Sequence, residues 1–230
     1  MILCIETATS VCSVALCDEN SVISMIEAPH GMSHSASLTV IIQELLRSAP
    51  VEVRQLDAVS VSKGPGSYTG LRIGVSVAKG IAYGAEIPLI GINTLTAMCN
   101  GYLTENPLAA DSSTLLCPMI DARRMEVYNA LFTSDGRMLQ ETSADIITGS
   151  SYSKRLESEK IIFFGNGAGK CRSAITSANA IFVEGFSLSA SYLHKPSVNA
   201  LREKRFEDVA YFEPYYLKEF IATIPRKLFP

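Results

Sequence analysis

The chain has 230 residues, 47% of them hydrophobic and 19% charged. An apolar share at the globular norm excludes a disordered polypeptide. The net charge of −3, from 20 basic and 23 acidic residues, argues against a protein that grips nucleic acid on its own through a broadly basic surface, and leaves room only for a local basic patch. No apolar run reaches the roughly 18 residues of a membrane span. The opening Met1-Ile2-Leu3-Cys4-Ile5-Glu6 reads as a strand rather than an export signal, so a cytoplasmic location is expected. The six cysteines form no CxxC pair and read as buried thiols in a reducing compartment.

In chain order, Ile2 to Glu6, Cys12 to Cys17 and Ser21 to Ile26 are short β-rich runs separated by turn residues, the pattern of an antiparallel meander. Leu38, Ile41, Ile42, Leu45 and Leu46 then recur at a 3.6-residue period, which predicts an amphipathic helix capped by Ser33 or Ser35 and stopped before Pro50. Asp57 to Ser62 is a strand that runs into Lys63-Gly64-Pro65-Gly66-Ser67-Tyr68-Thr69-Gly70. A helix from Leu71 to Tyr83, a strand from Ile87 to Ile92 and a helix from Thr94 to Leu103 follow. Asn106-Pro107 and Asp111-Ser112-Ser113 mark a boundary. Beyond it, Leu115 to Asp121, Val127 to Phe132 and Arg137 to Gln140 read as strands, and Ile161 to Phe164 enters Gly165-Asn166-Gly167-Ala168-Gly169. A shift of 115 residues places Glu6 on Asp121 and the first meander on the second. Two related α/β halves are therefore expected.

Several constellations could carry chemistry. Gly64, Gly66 and Gly70 surround a strand-to-helix turn, where backbone can approach an anion. The spacing matches neither a P-loop nor GxGxxG, and the alternative is a tight turn with close helix packing. For Gly74, Gly80 and Gly84, inside the helix, close packing is the favoured reading. Glu6 and Asp121 end equivalent strands. Beside Thr7, Thr9 and Ser10, Glu6 could hold a magnesium-bound nucleotide through water, or either carboxylate could simply satisfy turn N–H groups. Asp121-Ala122-Arg123-Arg124 is either a solvated strand end or an anion clamp. His30 and His34 stand four apart, but Gly31 and the capping serines place His30 before the helix and no third ligand is near, so no metal is expected. Ser67 lacks the GxSxG spacing of a nucleophile elbow, and no Ser-His-Asp arrangement can be drawn.

The run from Lys63 to Val75, continuing through Ala78-Lys79-Gly80-Ile81-Ala82, resembles the hallmark of the TsaB (YeaZ) family. So do Ile5-Glu6-Thr7-Ala8-Thr9 with Cys12-Ser13-Val14-Ala15-Leu16, Ser33-His34-Ser35, Ile120 to Arg124 with Glu126-Val127-Tyr128, Gly165-Asn166-Gly167, and Pro214-Tyr215-Tyr216-Leu217. The resemblance covers nearly the whole chain. It implies an α/β fold of the actin/hexokinase/Hsp70-like (ASKHA) class with two ribonuclease-H-like domains. These are residues 1–104, completed by a helix near 190–208, and residues 105–189, with a tail at 209–230. It implies a part in threonylcarbamoyladenosine synthesis beside the tRNA anticodon, as partner of the catalytic paralogue TsaD and the ATPase TsaE.

Two departures from the pattern bear on mechanism. The catalytic paralogue has an HxxxH metal motif where this chain has Thr94 and Met98, residues that do not replace imidazoles. Glu6 stands where the family usually has Asp. The expectation is thus a scaffold with no catalytic residue, no metal and no cofactor of its own, ATP or ADP at an intersubunit seam being left open. Glu6, Thr7, Gly64, Gly66, Ser67, Thr69, Gly70, Asp121, Arg123 and Gly165 would form a degenerate nucleotide or anion loop. Leu38, Ile41, Ile42, Leu45, Gly70, Ile73, Gly74, Val77, Ala78 and Ile81 would form the partner face, used for self-association as a homodimer when TsaD is absent. tRNA would be held indirectly, through the complex, and no membrane contact is expected. The rival readings are an ATP-binding kinase-like or glycoprotease-like enzyme acting alone and, more distantly, a sugar or acetate kinase relative.

Overall fold

The computed structural model describes residues 1–29, 31–49, 51–107 and 113–218. His30, Pro50, Asp111 and Ser112 of the expected boundary, and the tail beyond residue 218 lie outside the described residues.

The first half runs β1 (Ile2–Glu6), β2 (Ser13–Cys17), β3 (Val22–Glu27), α1 (His34–Ser48), β4 (Ala58–Gly64), α2 (Tyr68–Ala85), β5 (Leu89–Asn93) and α3 (Thr94–Glu105). The second runs β6 (Thr114–Asp121), β7 (Glu126–Thr133), β8 (Met138–Ile146), α4 (Ser153–Leu156), β9 (Lys160–Phe164), α5 (Ala168–Cys171), β10 (Ala180–Phe182) and α6 (His194–Arg202). The two sheets have the orders β3-β2-β1-β4-β5 and β8-β7-β6-β9-β10. In each, the first strand pairs antiparallel with the second and parallel with the fourth. The connectivity is therefore the same twice over, and the first strand of each sheet is central.

Burial follows from that centrality. β1 is covered on both faces, with Leu3 and Ile5 turned to one apolar cluster and Ile2 and Cys4 to another, as expected for a strand whose alternate side chains meet two layers. α1 and α2 cover the outer face of the first sheet. α3 lies between the sheets, touching β4 and β5 on one side and β6 and β7 on the other. α6 packs on β1 and β5. Among the described residues, the helices on the outer face of the second sheet are α4 and α5, single turns of four residues each, joined there by Ile147 and Ile175 from the loops.

Several elements differ from their expected extents. α2 begins at Tyr68 rather than Leu71, because Ser67 caps it by accepting from the Gly70 N–H at 3.2 Å. β8 runs on to Ile146. Its middle is polar because it is a sheet edge that needs no continuous apolar face. The helix placed near 190–208 is a 3₁₀ turn over Ala190–Leu193 followed by α6, and it ends at Arg202. Lys204 there takes a positive φ of 55°. The six cysteines are free and buried, with the Cys4 and Cys17 sulfurs 3.9 Å apart on neighbouring strands.

Candidate functional site in the cleft between the sheets

β1 and β6 end in the same local structure. Glu6 Oε1 accepts from the Ala8 N–H at 2.6 Å, and Asp121 Oδ1 accepts from the Arg123 N–H at 2.8 Å. Each carboxylate thus closes a turn two residues ahead. The environments then diverge. Glu6 is fully buried, and its other oxygen accepts from the Ser62 hydroxyl. Burial pushes its carboxyl up to about 7, against the downward pull of the Ser62, Ala8 and Thr7 hydrogen bonds. Asp121 remains half exposed. Partial burial raises its carboxyl, but Lys170 Nζ at 2.5 Å and the Arg123 N–H outweigh it and hold the group below the usual range.

The glycines clamp these strand ends. A Cβ on Gly66 would lie 2.4 Å from the Ala8 carbonyl oxygen, on Gly70 2.1 Å from the Thr7 carbonyl oxygen, and on Gly74 2.2 Å from Thr7 Oγ1. The Ser67 N–H also donates to the Ala8 carbonyl at 2.7 Å. In the second half, a Cβ on Gly165 (φ 100°) would lie 2.4 Å from the Met119 carbonyl oxygen, and one on Gly167 2.8 Å from the Ile120 carbonyl carbon. The backbone of residues 7–8 fills the space beneath the first loop, and that of 119–121 fills the space beneath the second. At Gly66, Gly70, Gly165 and Gly167 the absent side chain lets backbone pack on backbone, and at Gly74 it makes room for the Thr7 side chain. Gly64 (φ 117°) serves the same end, its α-carbon facing the Tyr215 carbonyl.

Between the halves lies an open cleft of about 870 Å³. One wall holds Thr9, Ser10, His34, Gly66, Ser67, Tyr68 and Thr69; the other holds Asp121, Arg123, Arg124, Glu126, Tyr128 and Asn166. A strap at 215–218 joins the walls. The Tyr215 N–H donates to the Lys63 carbonyl at 2.6 Å, Arg72 Nε donates to the Tyr216 hydroxyl at 3.2 Å, and Lys218 pairs with Glu126. Tyr216 and Tyr68 lie 4.9 Å apart between ring centroids, and the Arg72 guanidinium sits 4.3 Å over the Tyr68 ring. His34 Nε2 is hydrogen-bonded to the Thr9 carbonyl at 2.9 Å. No group of three or more His, Cys, Asp or Glu side chains suited to a metal occurs among the described residues.

The residues expected to form an anion loop therefore split. Gly66, Ser67, Thr69, Asp121 and Arg123 line the cleft, whereas Glu6, Thr7 and Gly70 lie beneath its floor, Gly64 under the strap and Gly165 against Met119. Tyr68, Arg124 and Tyr128, from the runs Lys63–Gly70, Asp121–Arg124 and Glu126–Tyr128, complete the cleft together with Lys218, which no motif points to and only the fold brings there. Thr94, which stands at the first histidine position of the paralogue's metal motif, is buried in the first turn of α3, which Asn93 Oδ1 caps by accepting from the Leu95 and Thr96 N–H groups. Met98, at the other, is buried with its methyl against Gly165.

The expected partner face needs correction. Leu38, Ile41, Ile42 and Leu45 are at most 5% exposed and belong to the core beneath α1 and α2, as do Gly70, Gly74 and Ala78. The apolar stripe of an amphipathic helix is the face it buries against its own sheet. Only Ile73, Val77 and Ile81 of that set reach the margin. Outward stand Val40, Tyr83, Gly80 and Gly84, and a Cβ on either glycine would meet nothing within 4 Å.

Comparison with known proteins places this geometry. The family model described as "TsaD: tRNA N6-adenosine threonylcarbamoyltransferase" matches residues 29–211. The chain is 38% identical over 135 residues to the "tRNA threonylcarbamoyladenosine biosynthesis protein TsaB" of Escherichia coli (strain K12), covering 58% of this chain and 55% of the relative. It therefore spans about half the length of that relative. It is 29% identical over 224 residues to the protein of the same description from Bacillus subtilis (strain 168), covering 94% of this chain and 93% of the relative. Among solved structures, YeaZ from Pseudomonas aeruginosa superposes with a TM-score of 0.79 at 23% identity, over 94% of this chain and 99% of that one, a likeness of fold.

Proposed function

Since the chain belongs to the TsaD family of tRNA N6-adenosine threonylcarbamoyltransferases, on its TsaB (YeaZ) branch, we propose that it is a non-catalytic subunit that docks on the catalytic member and supports threonylcarbamoylation of adenosine in tRNA. The observation that carries this reading is how the equivalent strand ends are occupied. Glu6 is bonded to Ser62 and Ala8, Asp121 to Lys170 and Arg123, and both glycine loops are filled by the chain's own backbone. Glu6 and the glycine loops, which could hold magnesium and phosphate, are spent on folding, and Asp121 is neutralised by Lys170.

In this reading the docking face is the outer surface of α1 and α2. Gly80 and Gly84 leave space there beside Val77 and Ile81, so that a partner helix can approach closely. The third component, the ATPase TsaE, joins the assembled pair, and a second copy of this chain occupies the same face when TsaD is absent. The test is co-purification with TsaD and reconstitution of tRNA modification with TsaD and TsaE. Gly80→Arg and Val40→Arg, both at exposed positions, are expected to abolish capture and stimulation while leaving the fold intact. Unchanged capture places the interface elsewhere. ATP hydrolysis by the chain alone, lost in Asp121→Ala, favours the rival enzyme reading.

A further inference from the structure

The tip of the β6–β7 hairpin carries Arg123 and Arg124, both at positive φ, 72° and 47°. That backbone is the usual province of Gly, Asn and Asp, and holding a long side chain in it costs about 1–2 kcal/mol per residue. The strain is held at the wall of the cleft, where both guanidinium groups are exposed. Among the described residues neither side chain makes a hydrogen bond or ion pair, whereas the neighbouring acids are matched, Asp121 by Lys170 and Glu126 by Lys218. With Lys170 and Lys218 already paired to the two acids, the arginines leave this wall with a positive excess, although the Arg123 charge also acts on Asp121. Around them stand Tyr128, Tyr215 and Tyr216, with Tyr68 beside Tyr216 but its own ring already holding the Arg72 guanidinium.

We propose that this cleft binds single-stranded RNA directly, phosphodiesters on Arg123 and Arg124 and bases on the tyrosine rings. The chemistry is that of unpaired RNA recognition, in which arginine holds the backbone and aromatic faces accept splayed bases of any sequence. A nucleoside triphosphate is disfavoured by the same geometry. It needs backbone N–H groups for its phosphates and a free carboxylate for magnesium. The glycine loops are packed on residues 7–8 and 119–121, Glu6 is buried with both oxygens bonded, and Asp121 is paired with Lys170 through Oδ1. A phosphodiester asks only for a cation at each step. The overall charge of −3 is compatible, since the positive charge is concentrated at one hairpin tip. The inference rests on the reading that the chain serves tRNA modification, and it assigns to this subunit a contact with the RNA itself.

The test is fluorescence anisotropy of the full chain with a labelled RNA hairpin whose open loop contains adenosines, titrated across salt concentrations. The wild type is expected to bind. Arg123→Ala/Arg124→Ala should weaken binding about 10-fold or more and lower the log–log salt slope by about 1.4, two single-strand phosphate contacts. Tyr216→Ala should weaken binding about 5-fold or more with the slope unchanged, and Tyr216→Phe should bind as the wild type. The proposal is overturned if the wild type does not bind, if the double variant binds equally well, if a blunt duplex of the same stem competes as well as the open loop, or if ATP alone displaces the RNA. Capture of TsaD by the double variant, through the separate α1–α2 face, reports that it is folded. Capture retained with RNA binding unchanged defeats this inference alone, whereas a wild type that captures no TsaD defeats the scaffold reading and leaves the RNA result to be judged by itself.

Discussion

Gly74 lies directly against Thr7: a side chain at position 74 would put its first carbon 2.2 Å from the Thr7 hydroxyl oxygen. Gly80, on the same helix, faces open space. The two glycines thus make opposite predictions. Gly74→Ala has to push α2 away from the end of β1 and should cost about 1–3 kcal/mol, as overpacking in a dense core does. Gly80→Ala removes a helix-interior glycine without a clash and should gain about 1 kcal/mol. Urea unfolding of the two variants checks the pair. If Gly80 is retained for a partner, the stabilised Gly80→Ala chain should also show weaker capture of TsaD.

Glu6 predicts a pH dependence. Its carboxyl titrates near 7 in the folded chain, against an ordinary value of 4.5. Between those values the folded state holds a proton that the unfolded state has released, so stability falls as pH rises through that window and levels off above about 7. A shift of that size corresponds to about 3 kcal/mol. Glu6→Gln keeps an oxygen for the Ala8 N–H and cannot ionise. Its stability should stay flat from pH 5 to 8 by chemical denaturation, crossing above the wild type at the alkaline end. A wild type equally flat would show that the burial of Glu6 is relieved by solvent.

The strap over the cleft predicts a local effect. Lys79 Nζ donates to the Ala210 and Phe212 carbonyls at 3.2 and 2.8 Å, and Phe212 is buried against Gly91. Lys79→Ala removes both donors and should loosen residues 210–218 while leaving the sheets intact. Limited proteolysis should then cut in that segment several-fold faster, with far-ultraviolet circular dichroism unchanged. Cleavage at the wild-type rate would show that the Tyr215 N–H to Lys63 carbonyl bond suffices to hold the strap.

The duplication is legible in the sequence because strand ends and turns repeat at a fixed shift: Glu6 and Asp121 sit on the same residue of the same turn. The helices of the second half are not legible to the same degree. α4 and α5 are single turns, too short for a 3.6-residue period to register. The periodicity that locates α1 marks Leu38 and Leu45, which the helix buries, whereas the outward residues Gly80 and Val40, where docking is proposed, carry no period. The cleft shows the same limit. Its two arginines and its carboxylate stand in one short motif, but Lys170, which holds Asp121, is 49 residues away and Lys218 is 92 from Glu126. Only the fold supplies those partners.

Thr94 and Met98 allow the non-catalytic reading to be tested from the opposite direction, by restoring the HxxxH spacing. Both positions are interior: Thr94 is fully buried in the first turn of α3, and Met98 packs its methyl against Gly165, whose φ of 100° and contact with the Met119 carbonyl leave the loop no room to yield. An imidazole at either site loses hydration without a hydrogen-bond partner built for it, a penalty of about 1–3 kcal/mol for each polar group left unsatisfied. Thr94→His/Met98→His should therefore lower the melting temperature. Added zinc should not recover it, because a metal that bound only the folded state would raise it with concentration. A zinc-dependent rise in melting temperature would mean that two imidazoles at these positions suffice to build a metal site in this fold.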